Sequence, residues 1–172
     1  MDALTPVSVG SADHNLVAEW LYREAMLFDR GDMNAWLALV EPDIQYRMPV
    51  RRSATPGAGG DFSTLMYHFD ESHSSLTARI KRLGTEHAWA EQPASRTRHL
   101  VSNVLVHRAK EDELHAASAF ILTRGRDDDA IDILSGERED VFRKTETGLK
   151  LARRLILIDQ TVLKTYNLSV FF

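Results

Sequence analysis

The chain contains no cysteine in its 172 residues. That absence excludes disulfide frameworks, thiol nucleophiles, Cys-ligated zinc and any iron–sulfur cluster held by this chain's own thiolates, because each needs ionised sulfur. An excess of positive charge is lacking as well: 21 Lys and Arg stand against 25 Asp and Glu, a net −4. Nothing electrostatic points to nucleic acid or an anionic membrane as partner. No stretch approaches the ~18 apolar residues that argue for a membrane span. The opening MDALTPVSVGSADH has no basic segment followed by an apolar run, so a cytoplasmic location is expected.

What is present is ordinary for a globular chain, 44% apolar and 27% charged residues. A chain of this length buries roughly two thirds of its unfolded surface, enough for one self-sufficient core. The expectation is a single domain over 1–172, with a flexible N-terminal arm at 1–12 and a surface loop at 53–66.

From Asp13 to about Asp29, Leu16, Val17, Trp20, Leu21, Leu27 and Phe28 recur at spacings of three and four, one stripe of a helix. Gly31 suits its C-terminus, and Asp32 can cap a second, short helix carrying Trp36, Leu37, Leu39 and Val40, closed by Pro42. Ile44 to Arg52 reads as a strand, and the small-residue stretch SATPGAGGD as a loop. Asp70, Ser72 and Ser74 are cap candidates for a third helix from about Glu71 to Leu83, with Leu76, Ile80 and Leu83 on one face and Gly84 at its end.

After Pro93 four long runs follow: Arg96 to Arg108, Leu114 to Arg124, Ala130 to Lys144 and Leu149 to Lys164. A turn at Thr145 to Gly148 makes the last two a hairpin. That places Glu139 and Asp140 opposite or diagonal to Arg153 and Arg154, where the charges can pair. The order of elements describes an α+β fold, N-terminal helices on a strongly curved, mostly antiparallel sheet shaped as a roll or cone.

Several constellations could carry chemistry. His68-Phe69-Asp70 has the H-x-D spacing of a two-histidine, one-carboxylate iron site, with His99, His107 or His115 as third ligand. The simpler reading makes Asp70 a helix cap and His68 a loop residue. His99 beside Leu100 and Val101 would face a cone's cavity, where Tyr22, Asp29 or Tyr46 could complete an acid–base pair. Its plainer alternative is a buried histidine satisfied by one partner. No G-x-S-x-G elbow surrounds any serine, and the glycines at 57, 59 and 60 lack a following Gly-Lys-Ser/Thr. Lys81, Arg82, Arg96, Arg98 and Arg108 read as salt-bridged surface beside Glu86 and Glu91. The apolar end Leu168-Ser169-Val170-Phe171-Phe172 is expected to be docked, in its own core or against another chain.

Four stretches carry a resemblance: LYREAMLFDRGDMNAWLALVEPDIQYRMPVRR, RIKRLGTEHAWAEQPASRTRHLVSNV, LSGEREDVFRK and LARRLILIDQTVLKTYNLSVFF. Together, over well more than half the chain, they resemble the small (beta) subunits of Rieske-type aromatic-ring-hydroxylating dioxygenases, of the nuclear transport factor 2-like, cystatin-like fold. The resemblance thins at 1–15, 53–66 and 110–129. It implies a non-catalytic subunit that binds no cofactor itself. It also implies an α3β3 heterohexamer whose large (alpha) subunit carries a Rieske [2Fe-2S] cluster and a mononuclear non-haem iron. The implied complex converts an aromatic hydrocarbon and O2 to a cis-dihydrodiol, with electrons from an NAD(P)H reductase and a ferredoxin. Trp89, Glu91, Arg96, Asn167, Leu168, Phe171 and Phe172 are the expected contacts with the large subunit or neighbouring beta subunits. The alternative is a stand-alone dehydratase or isomerase using His99 with Asp29 or Tyr46.

Overall fold

The computed structural model describes residues 4–53, 60–83, 94–110, 112–127, 130–163, 165 and 167–172. Helix α1 spans Ala12–Arg30. Ser11 caps its start by accepting from the His14 N–H, and Gly31, at φ 75°, ends it in the left-handed conformation that glycine adopts without a Cβ penalty. Val17, Trp20, Leu21 and Phe28 are buried as the stripe requires, whereas Leu16, at its margin, is 39% exposed. The Trp20 indole also donates to the Leu149 carbonyl, tying the helix to the sheet.

Helix α2, Met33–Leu37, is shorter than expected. Asp32 precedes it without a side-chain cap bond and contributes only its carbonyl, which accepts from the Trp36 N–H. Val40 already belongs to strand β2, Val40–Arg51, so Pro42 lies within a strand instead of closing a helix. A proline cannot donate to a ladder, and the register of this strand is interrupted between Val40 and Gln45.

Strand β1 is Thr5–Val7 and β3 is Phe62–Glu71; helix α3, His73–Leu83, follows β3. The last four strands are β4 Arg96–Lys110, β5 Glu113–Gly125, β6 Asp132–Thr145 and β7 Gly148–Ile158. Among the described residues these strands form one sheet in the order β1-β4-β5-β6-β7-β2-β3, antiparallel except at β2–β7. The fold is α+β, helices on a mostly antiparallel curved sheet.

Four expectations change here. Part of the N-terminal arm is docked, with Thr5 opposite Arg108 on β4. Phe62 to Met66 of the expected loop belong to β3. Asp70 lies on β3 and pairs with Arg47 (2.8 Å), while Ser72 caps α3 by exchanging side-chain bonds with Ser75. The final strand stops at Ile158 rather than running to Lys164.

A bulge in β4 decides which residues face inward. Its register with β5 shifts between Ser102 and Leu105, where Asn103 adopts φ 53°. The shift changes the phase of the alternation, so Val104 and Val106 are buried beyond it, and the odd-numbered His99 faces inward before it. On β5, Leu114, Ala116, Ser118, Phe120 and Leu122 alternate inward. Asp13, in the first turn of α1, reaches both Arg108 on β4 and Lys144 on β6.

Curvature brings β6 and β7 close at Gly136, where an added Cβ would stand 2.3 Å from the Leu157 carbonyl oxygen and 2.9 Å from the Ile158 Cα. Backbone cannot step aside as a side chain can. Gly136→Ala is expected to cost about 3 kcal/mol or more, read as a lower urea midpoint with unchanged m. A second expectation concerns Asp13, whose carboxyl is held below its ordinary 3.8 by hydrogen bonds from Arg108 and Lys144. Because the folded-state value is the lower one, its contribution is complete above pH 3.8 and disappears as the pH falls through the lowered value. Denaturation at neutral pH should find Asp13→Asn less stable than the parent, and well below pH 3.8 the difference should close.

Candidate functional site

The inner face of the cone gathers residues from every layer of the fold. At the base of β4, His99 Nδ1 meets Asp29 Oδ1 of α1 at 2.6 Å, and the His99 main-chain N–H donates to the same oxygen at 3.0 Å. Arg98 adds a contact to the other oxygen at 3.2 Å. This pairing is the acid–base geometry anticipated from the sequence. Tyr22 does not join it: its side of α1 faces solvent, with 51% exposure.

The chain itself occupies the space such a pair would need. His99 Nε2 donates to the Phe171 carbonyl at 3.0 Å, since a carbonyl can only accept. The Tyr46 hydroxyl donates to the Phe172 main-chain oxygen at 2.9 Å and accepts from the Phe172 N–H at 2.8 Å. Burial pushes the Tyr46 phenol up to about 12, against the opposing charge of Arg154. The Phe171 ring packs against Phe28, Trp36 and Tyr46, and the Phe172 ring against Phe69 and Phe120. Both rings fill the cone, with exposures of 2% and 0%, so they are withdrawn from the surface on which subunit contacts were expected.

Behind the two rings lies a charged cluster. Glu24 accepts from the Trp36 indole (2.8 Å), Arg154 Nη1 (2.7 Å) and Arg138 Nη1 (3.3 Å). Arg154 binds both Asp140 oxygens, at 2.8 and 2.9 Å, and also reaches the Phe172 main-chain oxygen at 2.6 Å. The hairpin register put Asp140 opposite Arg154 as the turn predicts, while Arg153 faces Val141 on the other side of the sheet. Burial opposes the Arg154 charge, yet Asp140 and Glu24 overcome it and raise its pKa well above the ordinary value. Arg138 is lowered by burial first and by the Arg154 charge second. Its Nε and Nη2, like the Ser118 hydroxyl opposite it on β5, have no hydrogen-bond partner among the described residues.

Glu24 and Arg138 were missed in the sequence. For Glu24 a signal existed: it interrupts the apolar stripe of α1 between Leu21 and Phe28, where a carboxylate is buried only with partners.

The H-x-D candidate does not assemble. His68 is half-buried on β3, with its pKa lowered by burial, and Asp70 is engaged by Arg47. His107 and His115 face each other across β4 and β5, toward the other end of the sheet order. His115 contacts Glu113 at 2.8 Å. Among the described residues no group of three His, Cys, Asp or Glu side chains is placed to hold a metal ion. A Rieske cluster needs cysteine, which the sequence lacks, and a facial-triad iron does not fit the donors among the described residues.

Other expected contacts are scattered. Arg96 is exposed and donates to the Asp127 carbonyl; Asn167 accepts from Arg124, and the Leu168 carbonyl from Arg79. Trp89 and Glu91 lie outside the described residues. A cleft of about 400 Å³ opens beside the tail, lined by Phe28, Met33, Ile80, Leu83, His99 and Phe171 among others.

The cluster gives a stability test. Glu24→Ala leaves two buried guanidinium groups short of their counter-charge, at an expected cost of about 3–5 kcal/mol. Arg23→Ala, one residue away but in an exposed pair with Glu19, is expected to cost about 0.5 kcal/mol or less in the same urea titration.

Comparison with known proteins accords with this geometry. The ring hydroxylating beta subunit family model matches residues 23–165. The biphenyl 2,3-dioxygenase subunit beta of Rhodococcus jostii (strain RHA1) is 38% identical over 173 residues, covering 97% of this chain and 92% of the relative. A chain of a solved naphthalene 1,2-dioxygenase superposes with TM-score 0.82 at 26% identity, covering 95% of this chain and 89% of that one. A nuclear transport factor 2-like protein of cystatin-like fold from Novosphingobium aromaticivorans superposes with TM-score 0.59 at 18% identity, over 87% and 84% of the two chains, a likeness of fold. The chain therefore belongs to the ring-hydroxylating beta-subunit family, and it is the subunit of a dioxygenase that works with an alpha partner.

Proposed function

We propose that this chain is the non-catalytic beta subunit of an α3β3 aromatic-ring-hydroxylating dioxygenase that converts an aromatic hydrocarbon and O2 to a cis-dihydrodiol. In this reading the large subunit holds the Rieske [2Fe-2S] cluster and the mononuclear iron, and an NAD(P)H reductase with a ferredoxin supplies its electrons. The assembly is cytoplasmic and no helix among the described residues is long and apolar enough to cross a membrane. The observation that carries the non-catalytic role is the docked tail: His99 Nε2 and the Tyr46 hydroxyl, the atoms a dehydratase or isomerase would turn on its substrate, are bound to Phe171 and Phe172. Exposed Leu100, Ile121 and Ile133 on neighbouring outer positions of β4, β5 and β6 support a surface that other chains cover. Arg96, at the start of β4, stays a candidate contact.

Two measurements test the proposal together. Native mass measurement after co-expression with the large subunit should return a mixed hexamer, with all iron in the large subunit after separation. His99→Ala should lower the thermal midpoint of the chain and leave dioxygenase turnover per iron unchanged in the assembled complex. An active, iron-free preparation of this chain alone, or turnover lost with the hexamer intact, would refute it.

A further inference from the structure

His99 is set between two groups that only accept. Its Nδ1 lies 2.6 Å from Asp29 Oδ1, and its Nε2 lies 3.0 Å from the main-chain oxygen of Phe171. Phe172 follows Phe171, so that oxygen is a peptide carbonyl with no proton to give. Asp29 serves as a carboxylate: the His99 main-chain N–H donates to Oδ1 at 3.0 Å, and Arg98 Nη1 donates to Oδ2 at 3.2 Å. A neutral imidazole carries one N–H, whereas this geometry uses two. With the single proton on Nδ1, a bare Nε2 would face the carbonyl oxygen; with it on Nε2, a bare Nδ1 would face the carboxylate. Only the imidazolium satisfies both neighbours.

We propose that His99 is a proton-operated latch on the end of the chain, which as the imidazolium holds both α1 and the Phe171 carbonyl and as the neutral imidazole keeps Asp29 alone. The neutral ring stays with Asp29 because a hydrogen bond to a carboxylate is roughly twice as strong as one to a neutral carbonyl. Docking of Phe171 thus takes up a proton wherever the undocked ring is neutral. By linkage the tail is held at lower pH and loosens as the pH rises.

The surroundings leave the change to His99. Around it α1 brings Arg30, β4 brings Arg98 and β5 brings Arg124, whose guanidinium groups keep their charge. Helices α2 and α3 line the adjoining cleft with Met33, Asn34, Ile80 and Leu83, which do not titrate. Behind the two rings, Glu24 of α1 and Arg154 of β7 are paired with each other. Tyr46 of β2, against the Phe171 ring, is pushed up to about 12 by burial, so its bonds to Phe172 add nothing to the pH dependence near neutrality.

The latch is tested on the full-length chain, by nitrogen-15 magnetic resonance of the His99 ring and by hydrogen exchange at the Phe172 amide, from about pH 5 to about pH 9. Both ring nitrogens are expected to carry protons at the acid end, and Nε2 to lose its proton first as the pH rises. Over the interval in which the docked ring is charged and the undocked ring neutral, protection of the Phe172 amide, corrected for intrinsic exchange, should fall about tenfold per pH unit, the slope of one proton. His99→Gln keeps a side chain that donates and accepts but binds no proton, and its protection should not vary with pH. A singly protonated ring at the acid end with Phe172 protected, a flat profile in the parent, or the parent's slope in the variant overturns the proposal. If the variant does not fold, ring protonation and exchange in the parent decide. The latch acts within this one chain, so its failure leaves the subunit assignment standing.

Discussion

The guanidinium of Arg154 is the contact on which the rest of the architecture turns. It is fully buried, and its donors reach three separate parts of the chain: Asp140 on the neighbouring strand, Glu24 on the first helix and the main-chain oxygen of Phe172. A buried ion pair of this kind adds little net stability over an apolar filling of equal volume, because desolvation offsets most of the Coulomb gain. What it does supply is discrimination. A slip of β7 by one residue would turn Arg154 to the outer face, and a rotation of α1 would remove Glu24, each leaving an unpaired charge in the core. The cluster thus selects one register and one helix orientation among many that would satisfy hydrophobicity alone.

That selection reaches the tail. Arg154 and Tyr46 both donate to the main-chain oxygen of Phe172, and the two phenylalanines are held inside. Once there, the Phe171 carbonyl settles on His99, whose other nitrogen is already on Asp29. A dyad with acid–base geometry and a bound main-chain carbonyl is a structural clamp between α1, β4 and the end of the chain. The six residues of irregular chain from Asn167 to Phe172 thus hold the atoms that His99 and Tyr46 would otherwise turn toward the inside of the cone.

Much of this was legible in the sequence, for reasons that differ by element. Helix α1 could be read because its apolar period and its glycine stop are local signals, and the β6–β7 hairpin because a four-residue turn sets the register that pairs Asp140 with Arg154. The failures are equally physical. Asp32 and Asp70 have the right residue type to cap a helix, but one makes no side-chain cap bond and the other is claimed by Arg47 across a strand pair, a contact no local rule contains. Pro42 reads as a stop because prolines end helices, yet it falls at a ladder interruption where its missing N–H costs nothing. Asp29 and His99 were singled out from residue type, while what fills the space between them and Tyr46 depended on where the last residues of the sequence return.

The two terminal phenylalanines illustrate why burial outranks exposure as a guide to role. Read in the sequence, the aromatic stretch suggests docking, either in the chain's own core or against another chain. Placed in the fold, the same rings face Trp36, Phe69 and Phe120, and the apolar residues left outside include Leu100, Ile121 and Ile133, on strands whose inner neighbours already fill the core. Three exposed aliphatic residues at neighbouring outer positions of β4, β5 and β6 are not explained by the core on the inner face. The inner face accounts for folding, and the outer face remains as the feature that a second chain is needed to explain, which is the property expected of a subunit and not of a protein that works alone.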